Sequence, residues 1–277
     1  MRSMKSPSLL SLFQLSKPVI GMVHLAGLPG SVHFEEPFSL TLDRALRETH
    51  MLVDAGFDAL LLQNTGDVPA LEEGDEATVA FMTAAGIKIR EACPVALGVN
   101  VLMNGSKAAF AVASAVEADF VRIKINVGAV VTSTGIVQAS PHEVLEFRNR
   151  IGAKNIKVMG DIYDRTSAPV GELPLVVMAD LALRHGGADA LVVSGYDVAD
   201  TKARLRTLRK AYPETYLITG GGVNAENLDE FMELSDAIIV GSSIKTGGHF
   251  LDPVDPEKAE EFIRRANEFR RKLVFQS

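Results

Sequence analysis

The sequence predicts a single (β/α)8 barrel running over residues 1–277, and three observations carry that prediction. First, short β-branched apolar runs alternate with helical stretches eight times. Second, those runs are apolar almost throughout, which marks strands buried on both faces, as in a parallel sheet. Third, one junction recurs: "GFDALLL", "EADFVRI", "GADALVV" and "LSDAIIV" each end a helix, pass through a short turn containing Asp, and start a strand. Repetition of one unit is expected of a barrel. The chain has 277 residues, 47% of them apolar. That length suits a one-domain barrel of ~250 residues better than an open doubly wound sheet.

The elements follow in order. Residues 1–17 hold Ser6-Pro7, a helix cap and first turn, so a short helical lead-in is expected there. Strands are expected at Val19–His24, Ala59–Asn64, Ala96–Leu102, Phe120–Ile125, Ile156–Asp161, Ala190–Ser194, Tyr216–Thr219 and Ala237–Val240. Helices are expected at Leu40–Ala55, Glu76–Ala92, Ser106–Glu117, Pro141–Arg150, Leu175–His185, Val198–Ala211, Ala225–Leu234 and Pro256–Leu273. One connection is long: "NVGAVVTSTGIVQAS", Asn126 to Ser140, where barrel loops of ~2–6 residues are usual. Its apolar Ala129, Val130, Val131, Ile136 and Val137 suit either a subunit interface or a lid with hinges at Gly128 and Gly135. The interface reading makes a homo-oligomer the expected state.

Composition excludes several classes. The net charge is −7, and the only dense basic run, Arg270-Arg271-Lys272, shares its helix with Glu257, Glu260, Glu261 and Glu268. That is a solvated helix face, so no nucleic-acid partner is expected. The single cysteine, Cys93, permits no intrachain disulfide and fits a reducing compartment. It precedes Pro94 and reads as a small buried hydrophobe. No apolar run approaches the ~20 residues of a membrane helix, and no signal peptide is evident. The expected location is the cytoplasm, without membrane insertion.

In a (β/α)8 barrel the chemistry sits at the C-terminal ends of the strands. In this sequence the polar residues gather there: His24, then Asn64 with Asp67, Asn100, the set Arg122, Lys124 and Asn126, then Asp161 with Tyr163 and Arg165, and Ser194. Strand starts are bland by contrast. The seventh and eighth strands run into "ITGGGV" and "VGSSIK". Gly221, Gly222 and Gly241 let backbone N–H groups approach an anion, and Ser242 and Ser243 add hydroxyls. A phosphate between these two loops is expected, with Asn224 capping the helix that follows.

The fourth strand carries the candidate chemistry. In "FVRIKIN", alternation places Val121, Ile123 and Ile125 toward the helices, and Arg122, Lys124 and Asn126 toward the barrel. Two unpaired cations there would carry a large desolvation cost, so they require a carboxylate or an anionic ligand. Asp161 on the next strand is the natural partner. A substrate clamp by Arg122, with acid/base work by Lys124, Asp161 and His24, is one reading; a structural ion pair is the other. Asn100, Asn64, Asp67, Tyr163, Arg165 and Ser194 complete the candidate substrate-binding set. No multi-histidine cluster appears, so no cofactor is expected. A hard divalent cation between Asp67 and Asp161 stays open.

Several segments together, "KPVIGMVHLAGLPG", "QNTGD", "GVNVL", "FVRIKINVGAVVTSTGI", "DALVVSG" and "DAIIVGSSIKTGG", resemble the BtpA/SgcQ family in order along nearly the whole chain. The resemblance implies a TIM barrel. It also implies one of two roles: a factor in photosystem I biogenesis, or an isomerase-like relative of phosphoribosylanthranilate isomerase. Against the family pattern, Gln63 stands where Glu is expected, Lys124 in place of a neutral polar residue, and Asn126 where His is frequent. Tyr163, Arg165 and Thr166 fill a loop usually richer in His and Lys. Two functions therefore remain from sequence. One is an isomerase, epimerase or lyase acting by proton transfer on a sugar phosphate or phosphoribosyl compound. The other is a non-catalytic assembly or regulatory factor that retains the barrel and its phosphate site.

Overall fold

The structure, a computed structural model, describes residues 12, 13 and 15–276. Eight parallel strands close into a barrel: β1 (Val19–His24), β2 (Ala59–Gln63), β3 (Ala96–Asn100), β4 (Phe120–Ile123), β7 (Lys157–Ile162), β9 (Ala190–Val193), β10 (Tyr216–Gly220) and β11 (Ala237–Val240). Eight helices wrap it: α1 (Phe38–Ala55), α2 (Glu76–Ala92), α3 (Ser106–Ala115), α4 (Pro141–Arg150), α5 (Leu175–Arg184), α6 (Val198–Ala211), α7 (Leu228–Leu234) and α8 (Pro256–Gln276). The expected barrel is present with every strand in place, and ends differ by one or two residues. Helix α7 starts later than expected because Asn224 takes the N–H groups of Glu226 and Asn227 into a separate turn. The expected lead-in helix falls largely outside the described residues. Of that segment, Phe13 packs on the barrel floor, its ring centroid 6.3 Å from that of Phe120 and 6.4 Å from that of Tyr216.

The repeated Asp of the junctions has a structural duty. Asp58, Asp119, Asp189 and Asp236 each accept an N–H from the first or second residue of the preceding strand: Val19 at 2.7 Å, Leu97 at 2.8 Å, Val158 at 2.9 Å and Leu217 at 2.8 Å. Each also donates its own N–H to the carbonyl of that same residue, at 2.7–3.1 Å. Every such turn therefore closes a two-bond clamp on the strand before it and satisfies a donor that the parallel ladder leaves unpaired there. A cation backs each carboxylate: Arg270, Arg90, Lys157 and Arg209 in turn.

Two apolar layers result. Outward residues of the strands pack under the helices in the larger cluster. Inward residues, among them Ile20, Met22, Leu61, Phe120, Met159, Val192, Ile218 and Ile239, fill the barrel.

The expected long loop after β4 is ordered differently. Residues Ala129–Thr132 (β5) and Gly135–Gln138 (β6) form an antiparallel hairpin, and Ala168–Pro169 (β8), from the loop after β7, adds a third strand. Period-two alternation then sorts the apolar side chains. Val130 and Val137 turn inward with Ile125 and Ala139, while Val131 and Ile136 are 47% and 66% exposed.

Candidate active site at the barrel mouth

The inward phase of each strand continues past the apolar filling into a polar layer. His24 follows Ile20 and Met22, Gln63 follows Ala59 and Leu61, and Asn100 follows Ala96. Arg122 follows Phe120, Asp161 follows Met159, and Ser194 follows Ala190 and Val192. All six are buried. Gln63 was not among the residues chosen from sequence. Its signal was present in the β2 alternation, where Asn64, one residue on, has the opposite phase. The carboxamide of Gln63 donates to Thr65 Oγ1 at 3.0 Å.

Arg122 and Asp161 meet as the fourth-strand pattern required. Nε reaches Oδ1 at 2.8 Å and Nη2 reaches Oδ2 at 2.7 Å, a bidentate pair with little exposure. Burial favours the neutral carboxyl and raises its pKa, while the guanidinium opposes this. With two charge-assisted hydrogen bonds in place, we describe the pair as ionised.

Lys124 shares the barrel-side phase but pairs elsewhere, with Asp164 Oδ2 at 2.9 Å and Thr166 Oγ1 at 3.1 Å. Burial works against the Asp164 carboxylate, but Lys124 and Thr166 outweigh it and hold its pKa below the ordinary range. Lys124, Asp161 and Asp164 all line a cavity of about 100 Å³ whose wall includes Ala129 and Val130 of β5 and Pro169 of β8.

His24 is held by one bond. Its Nδ1 lies 2.8 Å from the Phe250 carbonyl, so Nδ1 carries the proton and donates. In the neutral ring Nε2 is then an acceptor, and it has no partner among the described residues. Burial, reinforced by Lys245, pushes the imidazole pKa down to about 3. Gly241 makes room for the ring: a Cβ there would stand 3.0 Å from His24 Cε1.

Asn100 donates from Nδ2 to the Arg122 carbonyl at 2.8 Å, which fixes the orientation of the amide. Its Oδ1 is buried without any donor. This orphan acceptor belongs to a side chain 1% exposed.

The two glycine loops carry the anion features. Gly221 and Gly222 have φ of +101° and +78°. Past the ladder, the backbone N–H groups of Gly222, Val223, Ser242 and Ser243 have no acceptor among the described residues. Arg165 lies across this turn: a Cβ on Gly221 would come 3.3 Å from its Cζ. Its guanidinium is exposed and has no ion-pair partner among the described residues. Ser243 donates to Val223 O at 2.7 Å and ties the loops together, so that proton is engaged within the protein.

Other expectations meet different geometry. The alternation that put Asn126 on the barrel side stops when β4 ends at Ile123. The Asn126 amide instead packs beside Gly160 and Gly186, on the helix side. Asn64 and Asp67 brace each other at 2.8 Å, and they receive the N–H groups of Leu102 and Leu28. Burial raises the Asp67 carboxyl. Tyr163 has φ +54°, which turns it out of the strand phase, and its hydroxyl donates to Leu173 O at 2.5 Å. Among the described residues no three His, Cys, Asp or Glu side chains converge as metal ligands. No helix among them is long and apolar enough to cross a membrane.

One feature of "SSIK" was not foreseen. Lys245, fully buried, reaches Glu48 of α1 at 2.6 Å. Glu48 also accepts the Val254 N–H at 3.3 Å, and Arg44 donates to Leu251 O. Helix α1 thus pins both flanks of the loop whose Phe250 carbonyl holds His24.

Comparison places this barrel among known proteins. A protein of Thermococcus kodakarensis described as uncharacterised is 35% identical, over 93% of this chain and 98% of its own length. The photosystem I biogenesis protein BtpA of Synechocystis is 28% identical, over 91% and 88%. Among solved structures, N-(5'-phosphoribosyl)anthranilate isomerase from Pyrococcus furiosus superposes with a TM-score of 0.56, at 16% identity, over 91% of this chain and 99% of that one. This last likeness concerns the fold alone. The family model described as the BtpA family matches residues 15–268, and the chain belongs to that family.

Proposed function

We propose that this chain is an enzyme that binds a small phosphorylated metabolite, a sugar phosphate or phosphoribosyl compound, at the barrel mouth and moves a proton at carbon, as an isomerase, epimerase or lyase. One observation carries the reading: an ion-pair-free Arg165 guanidinium lies across Gly221–Gly222, where backbone N–H groups lack acceptors. Donors and a cation converging on one turn form a ready anion site. The solved phosphoribosylanthranilate isomerase fold supports the choice by analogy only.

The geometry reassigns roles within that reading. Both oxygens of Asp161 are taken by Arg122, and Lys124 is taken by Asp164 and Thr166. His24 keeps an uncommitted Nε2 and serves as the proton acceptor. Arg122 and Asp161 orient the ligand and stabilise charge that develops on it.

The non-catalytic reading, an assembly factor like the one its Synechocystis relative is named for, is favoured by that same self-pairing. Arg122 and Lys124 are satisfied without any ligand. The Asn100 acceptor and Arg165 are not, and they weigh for a bound molecule.

The test is phosphate titration of the full chain by calorimetry or amide NMR. Inorganic phosphate should shift Gly221, Gly222 and Ser242, and Gly221→Val should weaken binding by about tenfold or more, because valine cannot hold φ near +101° and would crowd Arg165. Equal binding by wild type and variant would remove the site.

A further inference from the structure

We infer that the ligand carries a single acidic group, its phosphate, and that its other end is neutral and rich in hydroxyls: a polyol monophosphate, without a carboxylate. The inference rests on the phosphate reading above and deepens it.

Four cations stand around the mouth, and Arg204 is committed to Asp200 and to the Ser194 and Tyr163 carbonyls. Arg122 is committed to Asp161 through two bonds, and Lys124 is committed to Asp164 and Thr166. Arg165, over the glycine turn, is the one without an ion-pair partner among the described residues. One uncommitted cation matches one anionic group. A second acid on the ligand would have to break a buried pair and leave a buried carboxylate unmatched, at a large cost.

The hydrogen-bonding groups agree. Asn100 Oδ1 is buried and lacks a donor, and His24 Nε2 is an acceptor once Nδ1 donates to Phe250. Beside the His24 loop lies a cavity of about 600 Å³ whose lining includes Glu35, Glu36, Thr65 and Phe250, and holds no lysine or arginine. Away from the glycine turn the mouth offers unpaired acceptors at Asn100 Oδ1 and His24 Nε2, beside the amide of Gln63 and the hydroxyl of Ser194. Hydroxyls can donate to such a surface; a carboxylate cannot. An orphaned buried acceptor costs stability until a donor arrives, so the unpaired Asn100 Oδ1 favours a ligand that brings one.

The test is a matched ligand series on the full chain, read by calorimetry: inorganic phosphate, D-ribose 5-phosphate and D-3-phosphoglycerate. Ribose 5-phosphate should bind about tenfold or more tighter than phosphate, through two or more added hydrogen bonds. Phosphoglycerate, which adds a carboxylate, should bind no tighter than phosphate. Asn100→Ala should bring ribose 5-phosphate toward the phosphate value and leave phosphate unchanged; Asn100→Ser serves if the alanine variant does not fold. If phosphate binds but the pentose phosphate gains nothing, or phosphoglycerate binds tighter, the polyol inference fails and the anion site stands. If none of the three binds, the phosphate reading fails and this inference with it.

Discussion

Acidification below pH 6.5 should destabilise this protein through His24. In the fold the imidazole is neutral, held from Nδ1 by the Phe250 carbonyl, with a pKa pushed down to about 3 from an ordinary 6.5. Burial is the main cause, and the charges that reinforce it are Lys245, Arg44 and Arg122. The sign follows from linkage. Between the two pKa values the unfolded chain binds a proton at His24 that the folded chain does not, so stability falls as pH falls. The stabilisation is fully present above pH 6.5. It is lost at about 1.4 kcal/mol per pH unit below that, roughly 2 kcal/mol by pH 5. The assay is the urea midpoint of wild type and His24→Asn from pH 7.5 to 4.5. Asparagine keeps a donor for Phe250 and cannot titrate, and carboxylate effects common to both chains cancel in the difference. Parallel curves, or an NMR titration of His24 centred near pH 6.5, would refute the buried, neutral imidazole.

Two further outcomes are expected. Lys245→Met should lower stability by about 3 kcal/mol, the low end for a broken buried pair because Arg44 stays beside Glu48, and Lys245→Met with Glu48→Leu should recover part of that loss in chemical denaturation. In light scattering, the wild type should be an oligomer that Val131→Asp dissociates, since Val131 and Ile136 stand outward on the hairpin; a monomeric wild type would dismiss the interface.

The barrel was legible because its signals are local and repeated. Strand runs such as "ALLL" and "AIIV" can only be buried on both faces. The Asp junction was visible four times, though its clamp on the preceding strand depends on a partner 19–39 residues away. The Arg122–Asp161 contact followed from strand phase plus the cost of a buried cation. Phase also marks where the reading stopped. It carries Asn126 inward only if β4 continues, and β4 ends three residues earlier. It excludes Asn64 and favours Gln63, but only once the end of β2 is known. Lys245 was hidden for another reason: its partner lies 197 residues away, and a lysine after two serines reads equally well as a phosphate ligand. The β5–β6–β8 sheet joins two different loops, and no spacing within either predicts their pairing.

Self-pairing at the mouth bears on whether this barrel is a catalyst or a scaffold. Arg122 and Lys124 no longer decide the matter, because each has its carboxylate inside the protein. What distinguishes the two readings is the set of groups that the fold leaves unsatisfied. A scaffold under no demand to bind would gain stability by filling the space at Asn100 Oδ1 with a donor or by replacing the asparagine with an apolar side chain, since an unpaired buried acceptor costs about 1–3 kcal/mol. It would likewise gain nothing from Gly241, whose missing side chain leaves room for the His24 ring and for Met22. The unsatisfied acceptor, the uncommitted imidazole nitrogen and the Arg165–glycine turn are liabilities or idle features in an empty barrel. All three become useful when one molecule with a phosphate at one end and hydroxyls at the other occupies the mouth.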